Sequence, residues 1–274
     1  MSLSSLLETD LELRAYLRGL AAQPRLPRPA PGLVAPPRSS NPGLVGTAFD
    51  YLLRWHLQRA NPRAHTRAWV ARAAVERLPP HLRSRGDDLV QRAEENHGRF
   101  LNGGEFSDEL CEVALGLARL DTVFRTGKGA DEIRTPASRE DIEDLRVLVA
   151  ASSSGMVRRY ERCVLNPAFG QGSAAVGGAD ADLILDDVLV EIKTTKTFRL
   201  ERMAFDQLLG YVLLAWWGGV NGDAQMGRTL KQVGIYFARY GTLVAWPLDS
   251  LLTEAALHRA VAWFRNHVTS SRPS

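Results

Sequence analysis

Three charged side chains, Asp182, Glu191 and Lys193, border or interrupt the apolar, strand-like runs of the stretch GGADADLILDDVLVEIKTTK, from Gly177 to Lys196. On a strand alternate residues share a face, so Glu191 and Lys193 project together while Val190 and Ile192 point into the opposite layer. Asp180 and Asp182 obey the same alternation at the start of the preceding strand. The short Asp186-Asp187 turn then folds Asp182 to Leu185 back beside Val188 to Lys193. Two carboxylates and an ammonium converge.

That set suits a hard divalent cation. Magnesium or manganese takes oxygen ligands, commonly one or two carboxylates completed by water and phosphate oxygens. Asp182 and Glu191 supply that minimum, and the backbone carbonyl of Ile192, between the two charged residues of its strand, is a further ligand. Asp180 is the alternative to Asp182 or a second metal or support ligand. A lysine beside a metal-bound water can orient it or stabilise charge building up on phosphorus. Acid, acid and lysine are the groups that phosphodiester hydrolysis needs. An isolated Glu-x-Lys on a strand is usually a solvent-facing ion pair, so the elements around it carry the weight.

Those elements are legible. Residues Leu11 to Ala22 read as an amphipathic helix, and Pro24 to Pro42, with seven of the fourteen prolines, reads as an extended linker or surface strap. From Gly46 to about Val90 the pattern is helical, with Phe49, Leu52, Leu53, Trp55 and His56 as an apolar stripe, punctuated by Asn61-Pro62 and Pro79-Pro80. Ser107 is an N-cap for a helix to Phe124, and Ser138 to Ala151 gives another. From Arg162 the period turns strand-like. Cys163 to Leu165 leads to a glycine-rich loop, Gly170 to Gly178, and then to the two strands above. Met203 to Trp217 reads as a buried helix, Val233 to Ala238 and Thr242 to Trp246 as a hairpin, and Leu251 to Val268 as an amphipathic helix. The expected class is α/β or α+β. The chain divides into residues 1–45 (helix and proline-rich linker), 46–150 (helical) and 151–274 (sheet core), the last two as one compact unit.

Asp182 followed by Glu191-Ile192-Lys193 resembles the D-x8-E-x-K signature of the PD-(D/E)xK nuclease superfamily. Gln207 and Tyr211 in DQLLGY lie four apart on one helix face. They resemble the Q-x3-Y motif of the RecB-type nucleases, which also have glycine before the aspartate, as Gly177 and Gly178 stand here. The resemblance covers about Cys163 to Trp217. It implies a restriction-endonuclease-like mixed β-sheet flanked by helices, a magnesium- or manganese-dependent deoxyribonuclease, and Gln207 and Tyr211 supporting the site or touching the substrate backbone. Relatives carry an upstream acid or histidine as another ligand, for which Glu109 and Glu112 are candidates. Two cysteines cannot supply a RecB-type iron-sulfur cluster.

Composition narrows the rest. The chain has 274 residues, 45% hydrophobic and 24% charged, with a net charge of +3, which excludes disordered, collagenous and coiled-coil classes. No long apolar run or signal sequence appears, so a cytoplasmic protein is expected with no membrane partner. Cys111 and Cys163 have no disulfide or zinc spacing. The histidines lack metal spacing, and no GKS or GKT accompanies the glycines, so ATP binding is not indicated. Arg54, Arg59, Arg63, Arg67, Arg72 and Arg77, at near-helical spacing, are a face that could meet phosphates. Arg158, Arg159, Arg199 and Arg202 are further backbone contacts, and Thr194, Thr195 and Lys196 either hold phosphates or cap the loop. Trp216-Trp217 reads as core. DNA is the expected partner, with RNA as the alternative, and a homodimer or partner protein could add specificity or motor activity. The competing class is a catalytically silent nuclease fold used for binding or assembly.

Overall fold

The computed structural model describes residues 2–153 and 155–270. Five strands form one mixed sheet in spatial order β1 (Cys163–Leu165), β2 (Leu183–Leu185), β3 (Val188–Lys193), β4 (Gln232–Phe237) and β5 (Thr242–Pro247). Only the β3–β4 pair is parallel. A parallel pair needs a long crossover, and the buried helix Arg202–Gly218 lies in it. The class expected from the sequence is the one observed.

In chain order the helices are α1 (Leu3–Thr9), α2 (Leu11–Leu20), α3 (Pro42–Ala60), α4 (Val70–Glu76), α5 (Pro80–Leu101), α6 (Asp108–Thr126) and α7 (Arg139–Ser153). They continue with α8 (Gly170–Ala175), α9 (Arg202–Gly218), α10 (Leu248–Leu251) and α11 (Glu254–Ser270). Helices α3 to α7 cover one face of the sheet, meeting Leu183, Leu185, Val190 and Tyr236. Helices α1, α2, α9 and α11 cover the other, meeting Ile184, Leu189, Val233 and Ile235. The period of two along each strand divides its side chains between these two cores.

Local chemistry sets the boundaries. Ser107 Oγ accepts the Leu110 N–H at 3.3 Å and starts α6, and Gly127, at φ 68°, ends it in the left-handed conformation. Pro80 opens α5 at a position where its missing N–H costs nothing. Asp186 adopts φ 55° in the β2–β3 turn, and its Oδ1 accepts the Glu161 N–H at 2.8 Å, which pins β1 beside the hairpin.

Two expectations need correction, and α1 is an element the sequence pattern does not show: α1 and α2 pack on α9 and α11. There Tyr16 stacks on Trp263 at 3.6 Å, and Arg202 donates to the Leu17 carbonyl at 2.9 Å. Gly170–Ala175 is a short helix, not an open loop. The arginine series from Arg54 to Arg77 does not make one face, because Asn61-Pro62 ends α3 and the count runs on through the non-helical 61–69 connection. The proline-rich segment is a strap. Val34 and Ala35 donate to the Arg239 carbonyl at 3.0 and 2.9 Å, and Arg25 accepts from Trp246 Nε1 at 3.2 Å. Among the described residues, no helix is long and apolar enough to cross a membrane.

Candidate active site

The β2–β3 register sets Leu183 opposite Val190, so one step further along it brings Asp182 opposite Glu191. Like charges in that position repel. Asp182 Oδ2 accepts the backbone N–H of Ile192 at 2.6 Å. Lys193 Nζ donates to Glu191 Oε1 at 2.9 Å, while Glu191 Oε2 is buried with no hydrogen-bond partner. In an antiparallel ladder a residue's N–H and C=O point to the same neighbour. The Ile192 carbonyl therefore points past the first residue of β2, on the side where Asp182 stands. The charged face of β3 is not a solvent face: Leu189 and Ile184 on the same side lie in the core, and Glu191 is only 6% exposed.

Burial first, then Glu191 and Asp50, hold the Asp182 carboxyl well above the ordinary carboxylate range. Burial pulls the Lys193 ammonium down, but Glu191 and Asp182 outweigh it and its pKa ends above the usual value. Tyr211 is raised by burial and by the same two carboxylates. The site is short of positive charge, and the like charges cannot relax into solvent.

A cavity of about 300 Å³ opens over this cluster, lined by Asp182 and Glu191, by Asp50, Tyr51 and Arg54 of α3, by Asp121 of α6, and by Gly177 to Asp180. Asp50 Oδ2 pairs with Arg54, whereas its Oδ1 is buried without a partner. Tyr51 donates its hydroxyl hydrogen to Asp121 at 2.8 Å. From α9, Gln207 Nε2 donates to the Tyr211 hydroxyl at 2.7 Å, so the residues four apart do act as one unit. Ser2, Leu3 and Ser4 form a further wall, with Leu3 N–H bonded to the Gly178 carbonyl at 3.1 Å. A larger cleft of about 420 Å³ near Ala60–Ala64 and Arg159–Glu161 gathers a single carboxylate, Glu161, and no comparable constellation.

The structure thus brings Asp182, Glu191, Lys193, Gln207 and Tyr211 together. Asp180 lines the cavity but is paired with Arg67 at 2.5 Å. Glu109 is elsewhere, bonded to Asn96 and Arg99, and Glu112 lines a different depression beside Arg119. The upstream acids that line the cavity are Asp50 of α3, three helices before Glu109 and Glu112, and Asp121 further along α6. Asp50 is missed in the sequence because it reads as one polar break in the α3 stripe; the signal was its i, i+4 partner Arg54. The Thr194 and Lys196 carbonyls accept from Arg239 and Tyr240, and the Thr195 hydroxyl donates to the Thr197 carbonyl, so the loop's backbone is held in place. Arg202 is engaged by Asp206, and Arg199 pairs with Glu201. Arg158 lies over Tyr160. His56 packs between Phe100 and Phe106, and Trp216 and Trp217 border the second core.

No family model, curated protein or solved structure matches the chain. What the site can do therefore rests on its own chemistry. Among the described residues no three Asp, Glu, His or Cys side chains gather closely enough to hold a metal by themselves. A magnesium-type site does not require that, since water and phosphate complete its shell. The unpartnered Glu191 Oε2 and the raised Asp182 carboxyl fit such a cation.

Proposed function

We propose that this protein is a metal-dependent nuclease that hydrolyses phosphodiester bonds of DNA in the cytoplasm, in the manner implied by its resemblance to the RecB-type PD-(D/E)xK enzymes. The observation that carries this reading is the buried pair itself: Asp182 opposite Glu191, one carboxylate oxygen orphaned, and Lys193 as the adjoining cation. Folded proteins rarely bury two acids side by side unless a function uses them. Magnesium or manganese, held by Asp182, Glu191 and the Ile192 carbonyl, would polarise the phosphoryl oxygens and activate water.

The protein's own groups have distinct roles in this reading. The Ile192 N–H fixes the Asp182 carboxylate in position, so little reorganisation is needed when substrate arrives. Lys193 orients Glu191 through one oxygen and keeps its remaining donors for a phosphate oxygen or the attacking water. Gln207 holds the Tyr211 hydroxyl beside the acids, where the pair supports the site wall. The walls of α1, α3, α6 and the 177–180 segment exclude bulk water, which strengthens every charge interaction inside. A cavity of about 300 Å³ has the scale of a small-ligand site.

The test is cleavage of circular and linear, single- and double-stranded DNA, with an RNA of the same sequence, in magnesium, manganese or EDTA. Wild type is compared with Glu191→Ala and Lys193→Ala. Metal-dependent cleavage lost in both variants is the expected result. Cleavage of RNA alone would transfer the reading to a ribonuclease. Inactivity of wild type on every substrate would sink the enzyme reading and leave a silent binding module in its place.

A further inference from the structure

Arginines ring the cavity, and each is tied to a carboxylate. Inside, Arg54 is spent on Asp50. At the mouth, Arg67 reaches from the 61–69 connection to Asp180, with NH1 to Oδ1 at 2.5 Å. Arg125, in the last turn of α6, stands 3.8 Å from Asp121 Oδ2, whose other oxygen already accepts from Tyr51. In both mouth pairs the acid lines the cavity and the arginine is the more exposed partner, with 44% of the Arg67 and 69% of the Arg125 side chain exposed; Arg125 lines the cavity as well. Other arginines of α3 and α4 are committed elsewhere. Arg59 donates to the Gly104 carbonyl, Arg77 to the Phe124 carbonyl, and Arg72 pairs with Glu94.

The Arg67–Asp180 pair is open on both sides and weakly held, and Arg125 stands 3.8 Å from the buried Asp121, beyond hydrogen-bond length. A guanidinium presents its donors as a fork that fits phosphate oxygens two at a time. The carboxylate in each pair therefore works as a placeholder. It keeps the fork at the mouth while the cavity is empty and releases it to a better anion. Asp180 is accounted for in the same way: its partner is Arg67, and none of the hydrogen bonds around Glu191 involves it.

We propose, building on the nuclease reading above, that Arg67 and Arg125 grip backbone phosphates next to the scissile one. Asp180 and Asp121 are their holders and not ligands of the cation. This assigns substrate-positioning roles to two residues of distant sequence and removes Asp180 from the metal set.

The experiment is a salt series of binding isotherms, using fluorescence anisotropy of a labelled oligothymidylate in EDTA so that nothing is cut. Arg67→Ala and Arg125→Ala each weaken binding roughly five- to tenfold at about 0.1 M salt and lower the slope of log K against log salt by about 0.7. Arg67→Lys keeps the slope while losing part of the affinity, which separates loss of charge from loss of the fork. Asp180→Asn tightens binding and leaves the magnesium concentration for half-maximal cleavage unchanged. Wild-type affinity and slope in both alanine variants would overturn the proposal, as would a tenfold rise in the magnesium requirement of Asp180→Asn. If wild type shows the arginine-dependent slope but cuts nothing, the nuclease reading fails and the grip stands. If wild type cuts while both variants bind unchanged, the grip alone fails. Failure of wild type to bind the oligonucleotide overturns the grip outright.

Discussion

Asp182 Oδ2 accepts the Ile192 N–H at 2.6 Å, just beyond the last ladder pair of β2 and β3. A side chain thus takes the place of the backbone carbonyl that β2 no longer supplies, and the strand end is held by the carboxylate that the proposed metal site uses. The contact itself favours the carboxylate, but burial and then the facing Glu191 outweigh it and raise the Asp182 pKa. Function and stability pull against each other at this position.

Removing that charge while keeping the acceptor should stabilise the protein. The folded Asp182 carboxyl titrates well above its ordinary value, through burial and then Glu191. The folded state therefore holds a proton that the unfolded chain gives up, and stability falls as pH rises out of the normal carboxylate range. At neutral pH in EDTA, Asp182→Asn should gain about 1 to 3 kcal/mol, raising the melting temperature by several degrees. The variant should cleave nothing. A lower melting temperature than wild type would mean that the Asp182–Glu191 repulsion is not felt.

Acid should unfold the helical half through two histidines. Burial depresses His56 to about 4, and His97 likewise to about 4. His56 Nε2 has no partner, and His97 Nε2 faces Gln58 Oε1 at 3.1 Å. Both fold neutral, so stability is complete above the unfolded value of 6.5 and is lost as pH falls toward 4. His56 contributes a loss of roughly 2 kcal/mol between pH 7 and 5, and the more exposed His97 about half as much after solvent screening. Asp121 and Asp182, both raised, act in the opposite sense. The measurement is chemical denaturation at the two pH values. His56→Leu combined with His97→Leu should abolish the acid loss, and an unchanged pH slope in that double variant would refute the assignment.

Arg239 and Asp144 are 1% and 0% exposed in their side chains and 2.7 Å apart. The guanidinium also donates to the Thr194 carbonyl at 2.7 Å and to the Ala35 carbonyl at 3.1 Å, joining α7, the strap and the end of β3. Arg239→Met strands a buried carboxylate and should cost about 3 to 5 kcal/mol. The double replacement Arg239→Met, Asp144→Leu should cost clearly less than the two single changes together, as read from urea unfolding. Additive losses would show that the pair is not coupled.

The parts of this molecule set by short-range chemistry were open to sequence reasoning. The β2–β3 hairpin follows from period-two alternation and the Asp186-Asp187 turn, and α6 follows from its Ser107 cap. The sequence could not show α1. It has seven residues and buries only Leu3 and Leu7, too little to fold alone, so its helix depends on packing against Gly210 of α9. Asp50 was hidden for a related reason: α3 is buried on most of its circumference, and one carboxylate there gains meaning only when the hairpin arrives beneath it. The arginine spacing misled because it was counted across the Asn61-Pro62 break.

Lys193 separates holding a cation from performing chemistry. Its ammonium touches Glu191 Oε1 at 2.9 Å, and its contact with Glu191 and attraction to Asp182 raise its pKa against the pull of burial. Lys193→Met keeps the aliphatic stem and leaves the two acids without that counter-charge. In EDTA its melting temperature should fall below that of wild type. Magnesium should raise it by more than it raises wild type, because a divalent ion then supplies the missing charge. At a magnesium concentration about ten times the wild-type Kd, wild type gains about 1.4 kcal/mol and the variant, binding the ion more tightly, gains more. Cleavage should drop on the order of a hundredfold or more if, as proposed, Lys193 donates to the reacting phosphate. Thermal melts with and without magnesium, run beside the cleavage assay, give both readings. Equal stabilisation by magnesium with full activity would remove Lys193 from the site, and no stabilisation of either protein would show that the acids hold no cation.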